Sequence, residues 1–406
     1  MKIQCRTTAA AAWLACAGAA CVFSPSSFAE TTFKVSGYGT LAGTVTDDSD
    51  YEFRSSMNQS KGARKGFDFL TDSKLGVQAV ANFNNGFSVT GQLLGQRRRV
   101  DRTGDSNSDV EVGFEWLYAQ YSPTTNLDLR AGRVVLPAFM ISDSRNVGYS
   151  QPWLRAPMSV YAGMPMTNLD GAQINWRIPA GSAIISVQPT YGQSSFNVSS
   201  GTPAGPLVIK DRSKWTAGLN VALEYGDWMV KAGQVRSHTP GVDLRLFGAS
   251  LPGVTYDLKD NFTSAGIQFD NGTAVVMAEW ARRKMGEMPL NANLGVPWDS
   301  IYLGTGYAGK PLAKSQAFYV AGGWRFGQVL PMLAYGQTRN MFTGEKNREV
   351  SGSVRWDFMN NVALKAQLSR YQARDTQAFV SPAAAGTPDY SNKKVNVFSV
   401  GLDFVF

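Results

Sequence analysis

The feature that most constrains this chain is an alternation of apolar and polar residues at period two, repeated along most of its length. In the clearest stretch Trp215, Ala217, Leu219, Val221, Leu223 and Tyr225 are apolar, while Lys214, Thr216, Gly218, Asn220, Ala222 and Glu224 between them are small or polar. Successive side chains of a strand point to opposite faces, so such a segment has one oily face and one wet face. The same pattern recurs within 75–83, 172–178 and 352–358. About sixteen such segments begin near residues 33, 73, 87, 112, 127, 171, 183, 214, 228, 261, 273, 316, 329, 350, 362 and 394.

The connections are sorted. Short breaks such as Asn84-Asn85-Gly86, Gly226-Asp227, Asp270-Asn271-Gly272 and Gly327-Gln328 read as hairpin turns. Long breaks at 47–70, 97–111, 135–170, 193–213, 237–260, 283–315, 338–349 and 372–393 fall between those hairpins. Short turns at one end and long loops at the other predict an all-β fold, a sixteen-stranded antiparallel transmembrane β-barrel with short periplasmic turns and long extracellular loops. Eighteen strands is the alternative count. A secreted β-sandwich binding module also alternates, but it has little reason to sort its connections this way, and its outward face would be the polar one. Aromatic rings border the short turns at Phe83, Phe87, Tyr121, Trp176, Tyr225, Trp228, Phe269, Phe326 and Phe358. Amphipathic rings favour the boundary between hydrocarbon and headgroups, so these fit a girdle on the short-turn side.

The first 29 residues read as an export signal: Lys2 and Arg6 lead an Ala-rich apolar run, and Ser27-Phe28-Ala29 offers small residues where a signal peptidase cuts. The run is too short for a membrane-spanning anchor. Cleavage after Ala29 leaves 30–406 as a single barrel domain. Cys5, Cys16 and Cys21, the only cysteines, all lie in the removed segment, which excludes a disulfide framework from the mature chain. Loss of Lys2 and Arg6 lowers the net charge from +8 to about +6. One histidine and 17% charged residues leave little for metal clusters or histidine-based catalysis and argue against disorder.

At the C-terminus Phe398, Val400, Leu402, Phe404 and Phe406 alternate with Ser399, Gly401, Asp403 and Val405, and the chain stops on the aromatic. This end resembles that of Gram-negative outer-membrane porins of the trimeric general type, in which such a last strand is read by the barrel-assembly machinery. Val35-Ser36-Gly37-Tyr38-Gly39-Thr40-Leu41 is similar to a porin first strand, and Leu129-Arg130-Ala131-Gly132-Arg133 to the strand entering the third loop. The resemblance implies a homotrimer in the bacterial outer membrane, a water-filled lumen for small hydrophilic solutes, and a third loop, here 135–170, folded inward as the constriction.

With the oily face toward lipid, the inward charges are Lys34, Lys74, Arg98, Arg130, Arg177, Lys214, Lys231, Arg325, Arg355 and Lys365 against Asp128, Glu224, Asp270, Glu279, Asp357 and Asp403. Several of the acids border the short turns, so the middle of the wall is the more positive part and a mild anion preference is expected. The candidate pore-lining and constriction residues are Lys74, Arg98, Arg130, Arg133, Arg177, Arg325 and Arg355 on the wall, with Asp143, Arg145 and Arg155 in the loop. In porins, loop carboxylates usually face wall arginines; this loop offers mainly Asp143, with Arg145 and Arg155 of opposite sign. Tyr149, Trp153 and Tyr161 offer either a stacking surface for a solute, as in a substrate-selective channel, or packing against the wall.

Basic clusters at Arg97-Arg98-Arg99, Arg282-Arg283-Lys284, Arg212 with Lys214, and Lys393-Lys394 stand where strands meet long loops. For an exported barrel the expected anionic partner is the phosphate of outer-membrane lipid and lipopolysaccharide, not nucleic acid. Gly304, Gly309 and Lys310 have the spacing of a phosphate-binding loop, but Pro311 stands where a magnesium-binding Ser or Thr is required. Ser237 and His238 are strand neighbours pointing to opposite faces, which precludes a nucleophile and base pair. The sequence therefore predicts no catalytic residues, no metal and no cofactor.

Overall fold

The computed structural model describes residues 31–59, 61–83, 85–97, 110–202, 205–246, 249–287, 311–341, 344–374, 380–382 and 392–406. The export signal, Arg98 and the 304–310 glycine-rich stretch lie outside them. In chain order the strands are β1 (Thr32–Thr46), β2 (Tyr51–Phe53), β3 (Lys74–Asn82), β4 (Phe87–Arg97), β5 (Val110–Thr124), β6 (Leu127–Val135), β7 (Asn168–Ala180), β8 (Ala183–Gln193), β9 (Ser195–Thr202), β10 (Gly205–Arg212), β11 (Trp215–Tyr225) and β12 (Trp228–Leu246). They continue with β13 (Ala249–Asp270), β14 (Ala274–Glu287), β15 (Pro311–Trp324), β16 (Val329–Asn340), β17 (Lys346–Met359), β18 (Val362–Ala373), β19 (Val380–Pro382) and β20 (Lys393–Val405). All but β2, β9, β10 and β19 form a closed cylinder of sixteen antiparallel strands. Closure comes from β20 pairing with both β18 and β1.

At that seam Gly37 and Phe406 exchange backbone hydrogen bonds of 2.8 and 2.9 Å. Closing the cylinder leaves no strand edge, so every ladder group can be satisfied away from water, as a bilayer requires. The short turns are as tight as the sequence implies. In the two-residue turn after β11, Gly226 has φ of +56°, a conformation costly for a residue with a Cβ, and Asn361 occupies the same region before β18.

The period-two pattern places Leu219, Val221, Leu223 and Tyr225 outward and exposed, while Thr216, Gly218, Asn220 and Ala222 are buried inside. Two expectations need correction. The break at 237–260 is largely strand, since β12 runs to Leu246 and β13 resumes at Ala249; the break at 193–213 holds the β9–β10 hairpin. Beyond the bilayer both faces of a strand meet water, so backbone pairing persists without the apolar alternation that marks a strand in sequence. The inner face is also not wet all round: on β14–β16, Val275, Met277, Ala281, Ala317, Tyr319, Ala321, Leu330, Met332 and Ala334 are buried on that side. The third loop covers them.

Candidate functional site

The chain between β6 and β7 turns into the cylinder rather than rising above it. It contains a short 3-10 turn at Gly148–Ser150 and a single helical turn, α1 (Met158–Tyr161). Its apolar side chains, including Phe139, Met140, Trp153, Val160, Tyr161 and Met164, form one cluster with the inner wall of β12–β16. Burial of each large side chain of this kind is worth roughly 1.5–3 kcal/mol, so the loop is fixed chiefly by packing on a wall that would otherwise be apolar and wet.

Hydrogen bonds set its register. Wall side chains donate to loop carbonyls: Asn220 to Pro137 (3.2 Å), Ser264 to Ala138 (2.6 Å), Lys231 to Met140 (3.3 Å), Arg355 to Tyr149 and Gln151 (2.6 and 2.9 Å), and Arg283 to Gly163 (2.9 Å). Lys365 reaches three carbonyls, of Gly148, Gln151 and Trp153, while also pairing with Asp403 at 2.7 Å. In return Met140 N–H donates to Glu279, Arg155 N–H to Gln367 and Ser159 N–H to Glu349. A segment with no more than two single helical turns thus has many of its backbone groups satisfied by the wall. Gly148 lies so close to Asp403 and Thr40 that a Cβ there would sit 2.1 Å from the Asp403 carboxylate.

The predicted site residues fall into three groups. Arg177, Arg325 and Arg355 face inward on the turn side and each holds an acid: Asp128 at 3.2 Å, Asp270 at 2.6 Å and Asp357 at 2.7 Å. Arg325, Arg355, Asp270 and Asp357 line a recess of about 280 Å³ beneath the loop, closed above by Met140 and Gln151. Nearer the loop, Arg130 lies over the Tyr118 ring at 4.9 Å and donates to Gln120, and Lys74 donates to the Arg145 carbonyl at 3.5 Å. Lys74 and Arg145 border a second recess of about 130 Å³ between the first and third loops. Asp143 is exposed and stands 3.6 Å from Lys231.

Arg133 and Arg155 do not present their charge to the lumen. Arg133 shares the strand parity of Leu129, which is exposed on the outside, and grips Asp170 with two hydrogen bonds of 2.7 and 2.9 Å; Arg212 joins them at 3.2 Å. Period two alone decides this, because Arg130 and Arg133 stand three positions apart on one strand and so point to opposite faces. Arg155 is buried against Asp72, Ser399 and the Phe53 ring. Burial opposes ionisation of Asp72, yet the Arg155 guanidinium overrides it and holds the carboxyl below its usual value; Arg155 is raised in turn despite burial. Of the three loop aromatics, Trp153 and Tyr161 pack against Tyr319 and the wall, leaving only Tyr149, beneath the Arg355 guanidinium at 4.9 Å, partly open. The Tyr161 hydroxyl donates to Glu279 at 2.6 Å, and its pKa is well above normal through burial and that carboxylate.

Sequence reasoning missed Asp72, which lies just before β3 in a stretch without periodicity. A signal existed: Arg155 is a cation in a loop with little acid, and a buried guanidinium requires an anion. Glu349 was likewise missed as the acceptor for the α1 N-terminus.

Comparison with known proteins agrees with this architecture. The sequence profile of the Gram-negative porin family matches residues 8–376. No curated protein matches the chain in sequence. Among solved structures, the anion-selective porin of Comamonas acidovorans superposes with a TM-score of 0.57 at 12% identity, covering 93% of this chain and 100% of that one. OmpF of Salmonella typhi, in complex with daunomycin, gives 0.53 at 12% identity over 92% and 97%. The trimer form of in-vitro folded OmpT, an outer membrane protein of Vibrio cholerae, gives 0.51 at 13% over 93% and 99%. At these identities the likeness is one of fold. A family profile spanning nine-tenths of the sequence, on a sixteen-stranded cylinder oily outside and bridged within by its third loop, places this chain in the Gram-negative porin family, the passive diffusion channels of the bacterial outer membrane.

Proposed function

We propose that this porin passes small hydrophilic solutes with a preference for anions, and that 136–167 is its constriction. The observation that carries the reading is the fate of the wall's acids. Asp128, Asp270, Asp357 and Asp403 are each held by an inward base, and Glu279 is buried beneath the loop. Of the acids assigned to the wall, only Glu224, at the turn-side end of β11, is exposed. Lys74, Arg130 and Arg145 stand at the level of the loop. A narrow aqueous passage with low-dielectric walls focuses such a field. A solved relative in fold is described as anion-selective, which agrees with this assignment.

Reversal potential across a salt gradient in planar bilayers tests it: chloride selectivity is expected, and cation selectivity refutes it. The channel works as a homotrimer, as one structural relative does, after removal of residues 1–29 as an export signal. Phe398, Val400, Leu402, Phe404 and Phe406 serve as its signal to the barrel-assembly machinery. No observation favours a solute-specific site in the loop, since two of its three candidate aromatics are buried.

A further inference from the structure

We propose that Met140 is a sulfoxidation site, and that an oxygen-transferring oxidant such as hypochlorous acid, entering through the lumen, unseats the third loop by oxidising it. Six of the thirteen methionines meet in the cluster that holds the loop to the wall: Met140, Met164 and Met166 from the loop, and Met229, Met277 and Met332 from β12, β14 and β16. Thioether side chains fill the irregular gaps of such an interface well, but they are also the apolar groups that an oxidant makes polar in place. Water reaches some of them. Met140, Met229 and Met277 line the turn-side recess of about 280 Å³, beside the partly exposed pair of Arg325 with Asp270, and Met164 borders the recess between the first and third loops. Met166 and Met332 border neither recess.

The seat of Met140 excludes an added oxygen. Its Cγ and Sδ lie in a notch left by Gly266 on β13, where a Cβ would come within 2.6 and 2.7 Å of them. The backbone carbonyl oxygen of Ala278 borders the same notch, 3.1 Å from that Cβ position. In the reaction the Sδ lone pair takes the oxygen of hypochlorous acid; sulfur loses two electrons, chlorine gains them and leaves as chloride, and the proton passes to water. The new sulfoxide oxygen is a strong acceptor, and the crowded notch sets another acceptor beside it. Lys231, directly opposite Gly266 in register, is already committed: it donates to the Met140 carbonyl at 3.3 Å and faces Asp143 at 3.6 Å. If the sulfoxide draws Lys231 away, the loop loses that carbonyl anchor; if it does not, a polar oxygen stays buried without a donor. Either way the seated loop is disfavoured, and the Met140 N–H leaves Glu279, its acceptor at 3.0 Å.

The effect on conductance rests on 136–167 being the constriction; release of the loop does not. The purified full barrel is titrated with dilute hypochlorous acid, oxygen uptake at each methionine is read by peptide mass spectrometry, and amide exchange within 136–142 is read by deuterium uptake. Met140 and Met229 are expected to gain oxygen at doses that spare Met166 and Met332. Exchange in the loop should then speed up roughly tenfold, the factor set by one stranded polar group. Single-channel conductance should rise and grow noisier in parallel. Met140→Leu keeps the volume but takes no oxygen at that position, and should hold its untreated exchange rate through the same titration. Met140→Gln places a polar group in the notch and should exchange fast with no oxidant added. A Met140 that stays unoxidised until Met166 and Met332 react overturns the proposal, as does an oxidised Met140 with unchanged exchange, or a wild-type response from Met140→Leu. Faster exchange with unchanged conductance upholds the site and refutes the constriction instead.

Discussion

Arg155 donates from Nε and Nη2 to the two carboxylate oxygens of Asp72, at 3.1 and 2.6 Å, with both side chains buried. This pair ties the middle of the third loop to the residue two before β3, across the lumen side of β1. Removing one partner leaves the other charge buried without compensation, at a cost of about 3–5 kcal/mol. Arg155→Ala is therefore expected to lower the melting temperature and, by releasing the loop, to raise and broaden single-channel conductance. Replacing both partners with apolar residues, as in Arg155→Met with Asp72→Leu, should restore much of the stability because no charge is stranded. Thermal melts and bilayer recordings on the three variants check this.

The same pair gives the loop an acid limit. Burial alone would raise Asp72, but Arg155 holds it below the ordinary Asp value of 3.8. Asp68 is lowered in the same way against its partial burial, by Arg97 at 2.8 Å. A carboxyl depressed in the folded state stabilises fully above its unfolded value and loses that contribution as pH falls through the folded one. The contribution of Asp72 to loop anchoring should thus be fully present above the unfolded value of about 3.8 and be lost as pH falls below it. Conductance recorded from neutral pH down through that value is expected to become noisier and larger at the acid end. In Asp72→Asn the loop should be loose at neutral pH already, with a flatter acid response.

Much of this was legible beforehand because a bilayer enforces a rule that sequence states directly. Leu219, Val221 and Leu223 must be apolar to face lipid, and the period of two then fixes the side of every neighbour. That rule lapses where lipid is absent. Residues 237–246 and 249–260 are strand without alternation, and only backbone pairing shows it. The inward face of β14–β16 is apolar because a distant loop rests on it, a contact that no local pattern encodes. Arg133 was expected among the pore-lining residues, in the stretch that resembles a porin strand, whereas parity, applied strictly, places it outside. Asp72 is paired with a residue 83 positions away, and such partners emerge only once the cylinder closes.

Closure itself makes a sharp prediction at the seam. The rings of Phe406 and Phe404 lie over Gly37 and Gly39 of β1, where an added Cβ would come within 2.2 and 2.4 Å of the ring tips. The terminal aromatics therefore fill notches that only glycine leaves open. Gly37→Val displaces the Phe406 ring and should slow or prevent closure, read as loss of the heat-modifiable folded form on detergent gels. Gly37→Val with Phe406→Ala is expected to recover part of that form, since the clash is gone although the ring's packing is lost. If Gly37→Val folds as well as the wild type, the notch has no role in closure.

Charges in the lumen should separate from charges in the anchor by what their loss changes. Arg325 and Asp270 form a bidentate pair at 2.6 and 2.8 Å on the wall of the turn-side recess, with about a third of each side chain exposed. Solvent screens such a pair, so breaking it costs roughly 0–1 kcal/mol, far less than breaking Arg155 from Asp72. Its electrostatic effect on the passage is larger, because Arg325→Ala removes one positive charge and leaves Asp270 uncompensated beside the permeating ion. The variant should melt within a few degrees of the wild type while its reversal potential moves toward cations. Arg325→Lys retains the charge and should keep anion preference. A reversal potential unmoved by Arg325→Ala would mean that ions pass this recess at a distance and that selectivity is set nearer the loop, at Lys74 and Arg130.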